Sequence, residues 1–159
     1  MDGILIGYSL KNECKLYPVR AAASNPDWKK HRQPRKLTHL KIKGHKMDCL
    51  FCKIANGAIP AKVVYQDDLV LAFDDISPQA PHHKLIIPRK HIATLNDITI
   101  EDNLLISHIV QTAKKLAKDL GVAEQGYRLV MNCNAGAGQT VFHIHAHLLG
   151  GRQMIWPPG

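Results

Sequence analysis

His143-Ile144-His145-Ala146-His147-Leu148-Leu149 decides how this chain is read. Three imidazoles alternate with apolar residues at a period of two. In an extended strand successive side chains point to opposite faces, so the histidines share one face and Ile144, Ala146 and Leu148 the other. In a helix, residues two apart do not face each other and the pattern loses its purpose. The strand reading gives a packed apolar back and a chemically active front. A lone histidine in a strand is usually a half-buried polar residue with a satisfied hydrogen bond. Three on one face would each need a buried partner, which packing alone does not explain.

Just upstream, Asn134-Ala135-Gly136-Ala137-Gly138-Gln139-Thr140 reads as a flexible turn whose backbone N–H groups can approach an anion. Histidines beside such donors point to phosphoryl or nucleotidyl chemistry. The rival is a tri-histidine metal site, because His-x-His pairs bind metal on strands and catalytic zinc often has three protein ligands. A glycine-rich turn has no metal role, so phosphoryl chemistry is preferred.

The chain has 159 residues and a formal charge of +8, enough length for one domain with a real core. The charge is unevenly placed. Residues 1–46 hold 11 Lys and Arg against 3 acids, whereas residues 47–159 hold 10 against 10. The globular part, 47–159, therefore carries no electrostatic footprint for nucleic acid. No apolar run is long enough to span a bilayer, so no membrane partner is expected. Residues 1–46 lack sustained periodicity and contain Trp28-Lys29-Lys30-His31-Arg32-Gln33-Pro34-Arg35-Lys36. They read as a basic, disordered N-terminal extension without a function of its own, or as an upstream stretch ahead of a start at Met47. An organelle-targeting segment and a nucleic-acid-binding arm are the alternatives. Targeting segments are Arg-rich amphipathic helices, whereas this stretch is mostly Lys with scattered apolar residues, so the first reading is preferred.

Four cysteines, two of them as Cys49-x-x-Cys52, do not make a disulfide framework, so a reducing compartment, the cytoplasm, is expected. A short helix over 48–56 ends at Asn56-Gly57. Strands are predicted at 62–66, 69–73, 84–87, 127–133 and 143–149. Thr99 with Asp102 reads as a capping box for a helix carrying Leu105, Ile109, Ala113, Leu116 and Leu120. The class is α+β, an antiparallel five-stranded sheet with one long and one short helix.

With that motif in place, the chain resembles the histidine triad (HIT) proteins, whose signature is His-φ-His-φ-His-φ-φ with φ apolar. The resemblance extends to Ile59-Pro60-Ala61-Lys62, Ala72-Phe73, Asp75-Ile76-Ser77-Pro78-Gln79-Ala80-Pro81, Ile87-Pro88-Arg89-Lys90-His91 and Gly138-Gln139. At the C-terminus Gly150-Gly151-Arg152-Gln153-Met154 and Trp156-Pro157-Pro158-Gly159 are similar to the Hint branch of that family. It covers 48–159 and none of 1–46. The third histidine, where a uridylyltransferase relative has glutamine, favours hydrolysis over transfer. The resemblance implies a homodimer whose two sheets join, and hydrolysis of purine nucleoside phosphoramidates and acyl-nucleotides to nucleoside monophosphates with no cofactor required for the chemistry. A nucleotide-binding interaction or signalling protein with little catalysis is the alternative.

On this reading His145 attacks the α-phosphorus, with its other ring nitrogen donating to the backbone carbonyl of His143. His147 contacts phosphate oxygens. Thr140, where the branch commonly has serine, meets the leaving amine or a phosphate oxygen. Asn132 and the backbone around Gly138 and Gln139 stabilise developing charge. Asp75 takes the ribose hydroxyls, or else is only a turn-entry aspartate before Ser77-Pro78. Phe73 and Ile76 sandwich the base, and Trp156 reaches across the dimer. His83 sits behind the triad; His108 is read as an ordinary helix residue. Some zinc-bearing relatives pair two such cysteines with histidines at the positions of His91 and His143. A structural zinc on Cys49, Cys52, His91 and His143 is one reading of the Cys-x-x-Cys, and a pair of free thiols the other.

Overall fold

The computed structural model describes residues 48–158. The extension over 1–46 and its boundary at Met47 lie outside the described residues. Within them the elements run α1 (Leu50–Ala55), β1 (Val63–Gln66), β2 (Val70–Asp74), β3 (His82–Pro88), α2 (Asn103–Asp119), β4 (Tyr127–Val130) and β5 (Ala146–Gly150). Short 3₁₀ turns cover Leu95–Asp97, Ile100–Asp102 and Ala135–Ala137. The five strands form one antiparallel sheet in the order β1-β2-β3-β5-β4.

The β1–β2 hairpin forms because Asp67 turns the chain on itself. Its Oδ1 accepts the N–H groups of Leu69 and Val70 at 2.8 Å each, an Asx-type turn. The capping box is present, with Thr99 N–H and hydroxyl both donating to Asp102 Oδ2. It closes the 3₁₀ turn that leads into α2 rather than the first turn of α2 itself.

Period-two alternation sorts the sheet's residues onto two faces. Val70, Ala72, Ile86, Ala146 and Leu148 pack against Ile109, Ala113, Leu116 and Ala117 of α2. Ile109 is fully buried, and Ile109→Ala would cost roughly 2–5 kcal/mol. On the opposite face Leu71, Phe73, Leu85 and Ile87 pack against Phe51 of α1. One β-strand residue from this second row, Leu85, lies opposite both Phe73 and His147 in register. At the end of β5 the backbone of Gly150 comes so close to Val122 that an added Cβ would meet its side chain at 3.0 Å.

Two expected strands are shorter than the sequence pattern suggested. β4 stops at Val130 instead of Cys133, and β5 begins at Ala146, so His143 and His145 precede the paired strand. The reason is a change of partner: Ile144 N–H donates to Ile92 O at 2.7 Å, not to β3. Ile144 still joins the α2-side core, so the in-and-out alternation survives where the ladder does not.

Candidate functional site

The site grows from the sheet face opposite α2, where His143, His145 and His147 follow one another, and their surroundings differ sharply. His143 is completely buried. Its Nε2 lies 2.8 Å from Pro88 O, and a carbonyl only accepts, so Nε2 carries the proton and Nδ1 a lone pair. That Nδ1 faces Cys49 Sγ and Cys52 Sγ at 3.5 Å each and His91 Nδ1 at 3.3 Å; Cys52 Sγ is 3.3 Å from His91 Nδ1. A tetrahedral zinc with ordinary bond lengths would space its nitrogen pair about 3.3 Å apart and each nitrogen–sulfur pair about 3.5 Å apart. The four donor atoms lie within 4.8 Å of one another, and none of the described cysteines is in a disulfide. Residues, tautomer and spacing all fit the metal. The expectation that three histidines form one active front is corrected here: His143 faces the cysteines, away from solvent.

His145 is buried as well, with its ring edge-on to Phe51 at 5.1 Å between centroids. Its Nδ1 lies 2.8 Å from His143 O. The same carbonyl argument puts the proton on Nδ1 and leaves Nε2 with an available lone pair.

His147 is partly open, and its Nδ1 meets His83 Nε2 at 2.8 Å. Here a backbone group sets the protons. Gln79 N–H donates to His83 Nδ1 at 3.1 Å, so neutral His83 carries its proton on Nε2 and donates to His147 Nδ1. His147 must then hold its own proton on Nε2. Burial, followed by the neighbouring His145 and His83, pushes the pKa of His147 down to about 4 against the opposing pull of Asp75. Burial likewise lowers that of His83. Both rings are neutral at pH 7, and His147 is a neutral N–H donor. Asp75 Oδ2 completes this group, 3.4 Å from His83 Nε2 and 4.0 Å from His147 Nδ1. These three ligand atoms also lie within 4.8 Å of one another. A proton on His83 Nε2 makes that nitrogen a poor ligand, so the set suits a hydrogen-bond relay better than a metal.

The glycine-rich turn departs from expectation. Its N–H groups at Ala137, Gly138 and Gln139 donate within the turn, to Asn134 O, Ala135 O and Asn134 O. They are not a nest for an anion. The side chain of Gln139 is buried and occupied, accepting from Asn134 N–H and donating to Ala93 O and Val141 O. It fixes the turn and so the start of Thr140, which is exposed. Gly138 takes φ +85°, open to glycine, and Asn132 Nδ2 lies 3.9 Å from where a Cβ on it would be.

Phe73 is buried and edge-on to Phe51 at 5.8 Å, so it can floor a pocket but not present an open ring face. Ile76, three residues on, is fully exposed, and Trp156 near the C-terminus is exposed as well. Asp75 is the turn-entry aspartate of one reading. Its Oδ1 accepts Ser77 N–H at 2.8 Å in a turn, while Oδ2 faces the histidines.

Two partners had no sequence signal. The Gln79 amide and the Pro88 carbonyl are backbone groups, brought to the histidines only by the fold. His108 is more than a helix residue: its Nε2 lies 2.6 Å from Asp67 Oδ2, which also accepts from Tyr65 hydroxyl at 2.8 Å.

Comparison with known proteins agrees with this geometry. The HIT domain family matches residues 56–154. The chain is 52% identical over 107 residues to the purine nucleoside phosphoramidase of Escherichia coli K12, covering 67% of this chain and 90% of that protein. A HIT family hydrolase from Legionella pneumophila is 63% identical with a TM-score of 0.70, covering 70% of this chain and 100% of that one. A zinc-bound histidine triad family protein from Mycobacterium smegmatis is 34% identical with a TM-score of 0.59, covering 67% and 77%. A five-stranded antiparallel sheet, a triad running into β5 and a family match over residues 56–154 lead to one conclusion: the chain belongs to the HIT family.

Proposed function

We propose that the chain hydrolyses purine nucleoside 5′-phosphoramidates and acyl-nucleotides through a nucleotidyl-His145 intermediate, releasing a nucleoside monophosphate. The observation that carries this reading is the 2.8 Å contact from His145 Nδ1 to His143 O, which in the neutral ring puts the proton on Nδ1 and the lone pair on Nε2. His145 Nε2 attacks the α-phosphorus and a P–N bond to the ring forms as the substrate P–N bond breaks, the departing amine taking a proton from solvent. Water then attacks the phosphorus and gives up a proton to solvent, and the bond to His145 breaks, returning the lone pair to Nε2. His147 meets a phosphoryl oxygen through Nε2–H. With a pKa of about 4 in the free protein, only about one ring in a thousand carries a second proton at pH 7. It therefore acts by hydrogen bonding where charge develops, rather than as an acid. Asn132 and Thr140 supply further polar contacts, Thr140 towards the leaving group. Asp75 takes the ribose hydroxyls, and Phe73 and Ile76 bound the base site.

The resemblance to the E. coli phosphoramidase supports the substrate class. Zinc fits Cys49, Cys52, His91 and His143, where four protein ligands would make it structural with no open position. His143 would then join the metal to the nucleophile through one residue, its ring on the metal and its carbonyl on His145. In a homodimer two β4 edges would continue the sheet, since β4 lies at its border, and exposed Trp156 would reach the partner. Residues 47–159 suffice for all of this, and the cytoplasm is the compartment in which the thiols would stay reduced. Among the described residues no helix is long and apolar enough to cross a membrane.

The test is mass spectrometry of protein quenched during turnover of adenosine 5′-phosphoramidate. An adenylyl adduct on the peptide containing His145 is expected. Turnover by His145→Ala close to wild type would remove the covalent reading.

A further inference from the structure

The two cysteines facing His143 are unequally exposed. Cys49 is the N-cap residue of α1, in extended backbone, and Cys52 is the third residue of that helix. Lys53 N–H donates to Cys49 O at 3.1 Å, so the two cysteines share one turn. Residues three apart on a turn have Cβ atoms about 5–6 Å apart, roughly an ångström more than a disulfide spans. Both sulfurs lie 3.5 Å from the same atom, His143 Nδ1. Cys52 is buried, whereas Cys49 is half-buried and lines an open cleft of about 340 Å³ together with Asp48, Leu50, His91 and Phe142.

That asymmetry suits a two-step oxidation by hydrogen peroxide entering from the cleft. As metal ligands both sulfurs are thiolates, the nucleophilic form. Cys49 Sγ attacks one peroxide oxygen: an S–O bond forms, the O–O bond breaks, and the departing hydroxide takes a proton from solvent. Cys49 is then a sulfenic acid. Cys52 Sγ attacks Cys49 Sγ, an S–S bond forms, the S–O bond breaks, and the second hydroxide also takes a proton from solvent. The two sulfurs together give up two electrons, and the peroxide is reduced to two waters. Sulfurs bonded to each other no longer serve as metal ligands. His91 and His143 alone make half of a tetrahedral set, so the protein gives up its zinc.

The consequence reaches the nucleophile. His143 turns Nδ1 to the sulfurs, while its backbone O holds the His145 Nδ1 proton. It precedes the paired part of β5, so its backbone stands outside the ladder with β3. We propose that Cys49 and Cys52 are an oxidation site: a peroxide converts them to a disulfide, zinc is released, and a loosened His143 no longer holds His145 in its reactive tautomer. A dithiol reductant with zinc reverses the change. This switch rests on the zinc reading proposed above and makes that brace removable.

The experiment treats the full chain, reduced and loaded with one zinc per chain, with hydrogen peroxide in modest molar excess. A chromogenic chelator reads zinc release, mass spectrometry of alkylated peptides reads the sulfurs, and adenosine 5′-phosphoramidate turnover reads the site. Zinc release should run in step with a Cys49–Cys52 disulfide, and kcat should fall about tenfold, the size typical when the support behind a reacting group is lost. A dithiol with added zinc should restore both metal content and kcat. Cys133→Ser should respond as wild type does, since Cys133 lies outside the cluster. Zinc that stays bound under peroxide, a disulfide to any other cysteine, release with kcat unchanged, or a loss that dithiol and zinc fail to reverse would each overturn the switch and leave the His145 chemistry standing. A chain that takes up no zinc when loaded would overturn the zinc reading and the switch with it. If the phosphoramidate is not turned over at all, the proposed hydrolysis falls, and the zinc and mass readouts still decide whether the disulfide forms and displaces the metal.

Discussion

His143 and His147 stand four residues apart in one motif, and the molecule treats them in opposite ways. His143 is sealed from solvent, with Nε2 on Pro88 O and Nδ1 turned to two thiols and a second imidazole. His147 is partly open, neutral, and tied through Nδ1 to His83, leaving Nε2 for a substrate. His145, between them, takes its tautomer from the backbone of the first. The lesson is that a repeated residue type does not imply a repeated role. Neighbours decide which nitrogen holds the proton, and the proton decides the chemistry.

The sharpest way to break the comparison is at its centre. His145→Ala should lower phosphoramidate turnover by at least about a thousandfold while nucleoside monophosphate affinity changes only a few-fold, since the lost group acts in the chemical step. Steady-state kinetics beside equilibrium titration of the monophosphate would separate the two effects.

The buried end predicts a different phenotype. Cys52→Ser should reduce bound zinc from one per chain to near zero and cost about 2–4 kcal/mol of stability, read by elemental analysis and denaturant unfolding. Activity should fall less than in His145→Ala, and only through a looser His143. A variant that keeps its zinc and stability would show that the two ends are not specialised as described.

At the open end the proton balance gives a pH dependence with a definite sign. His147 has a folded pKa of about 4 against 6.5 for an ordinary histidine. The unfolded chain therefore binds a proton there before the folded chain does. Its contribution to stability is complete above pH 6.5 and is lost as pH falls from 6.5 towards 4. Thermal unfolding of His147→Asn should show a smaller decline over that window than wild type. The smallest effect expected is that of removing residues 1–46, which should leave the unfolding temperature and kcat/KM of the domain within error of the full chain.

Much of this architecture is legible in the sequence because period-two alternation and capping residues are local signals. Ile144, Ala146 and Leu148 go to the α2 side as their spacing requires, and the Thr99–Asp102 pair marks the approach to α2. Pairing partners are not local. Nothing in the motif says that Ile144 N–H will leave the ladder for Ile92 O and shorten β5. The glycine-rich turn misled for a related reason. Its composition announces exposed amides, but Gln139 folds back and the N–H groups of Asn134, Ala137, Gly138 and Gln139 are taken up within the turn. The Gln79 amide that sets the His83 tautomer is invisible to any reading of side chains. The departure of His143 from the open face follows from contact with Cys49 and Cys52, more than 90 residues away in the chain.

The central claim is that His145 becomes bonded to phosphorus, and the stereochemical course of hydrolysis tests it most directly. A nucleoside phosphoramidate made chiral at phosphorus with sulfur, hydrolysed in oxygen-18 water, reports how many displacements occur. Two in-line displacements, the first by His145 and the second by water, predict net retention of configuration. Net inversion would mean that water attacks the substrate directly, and would contradict the account.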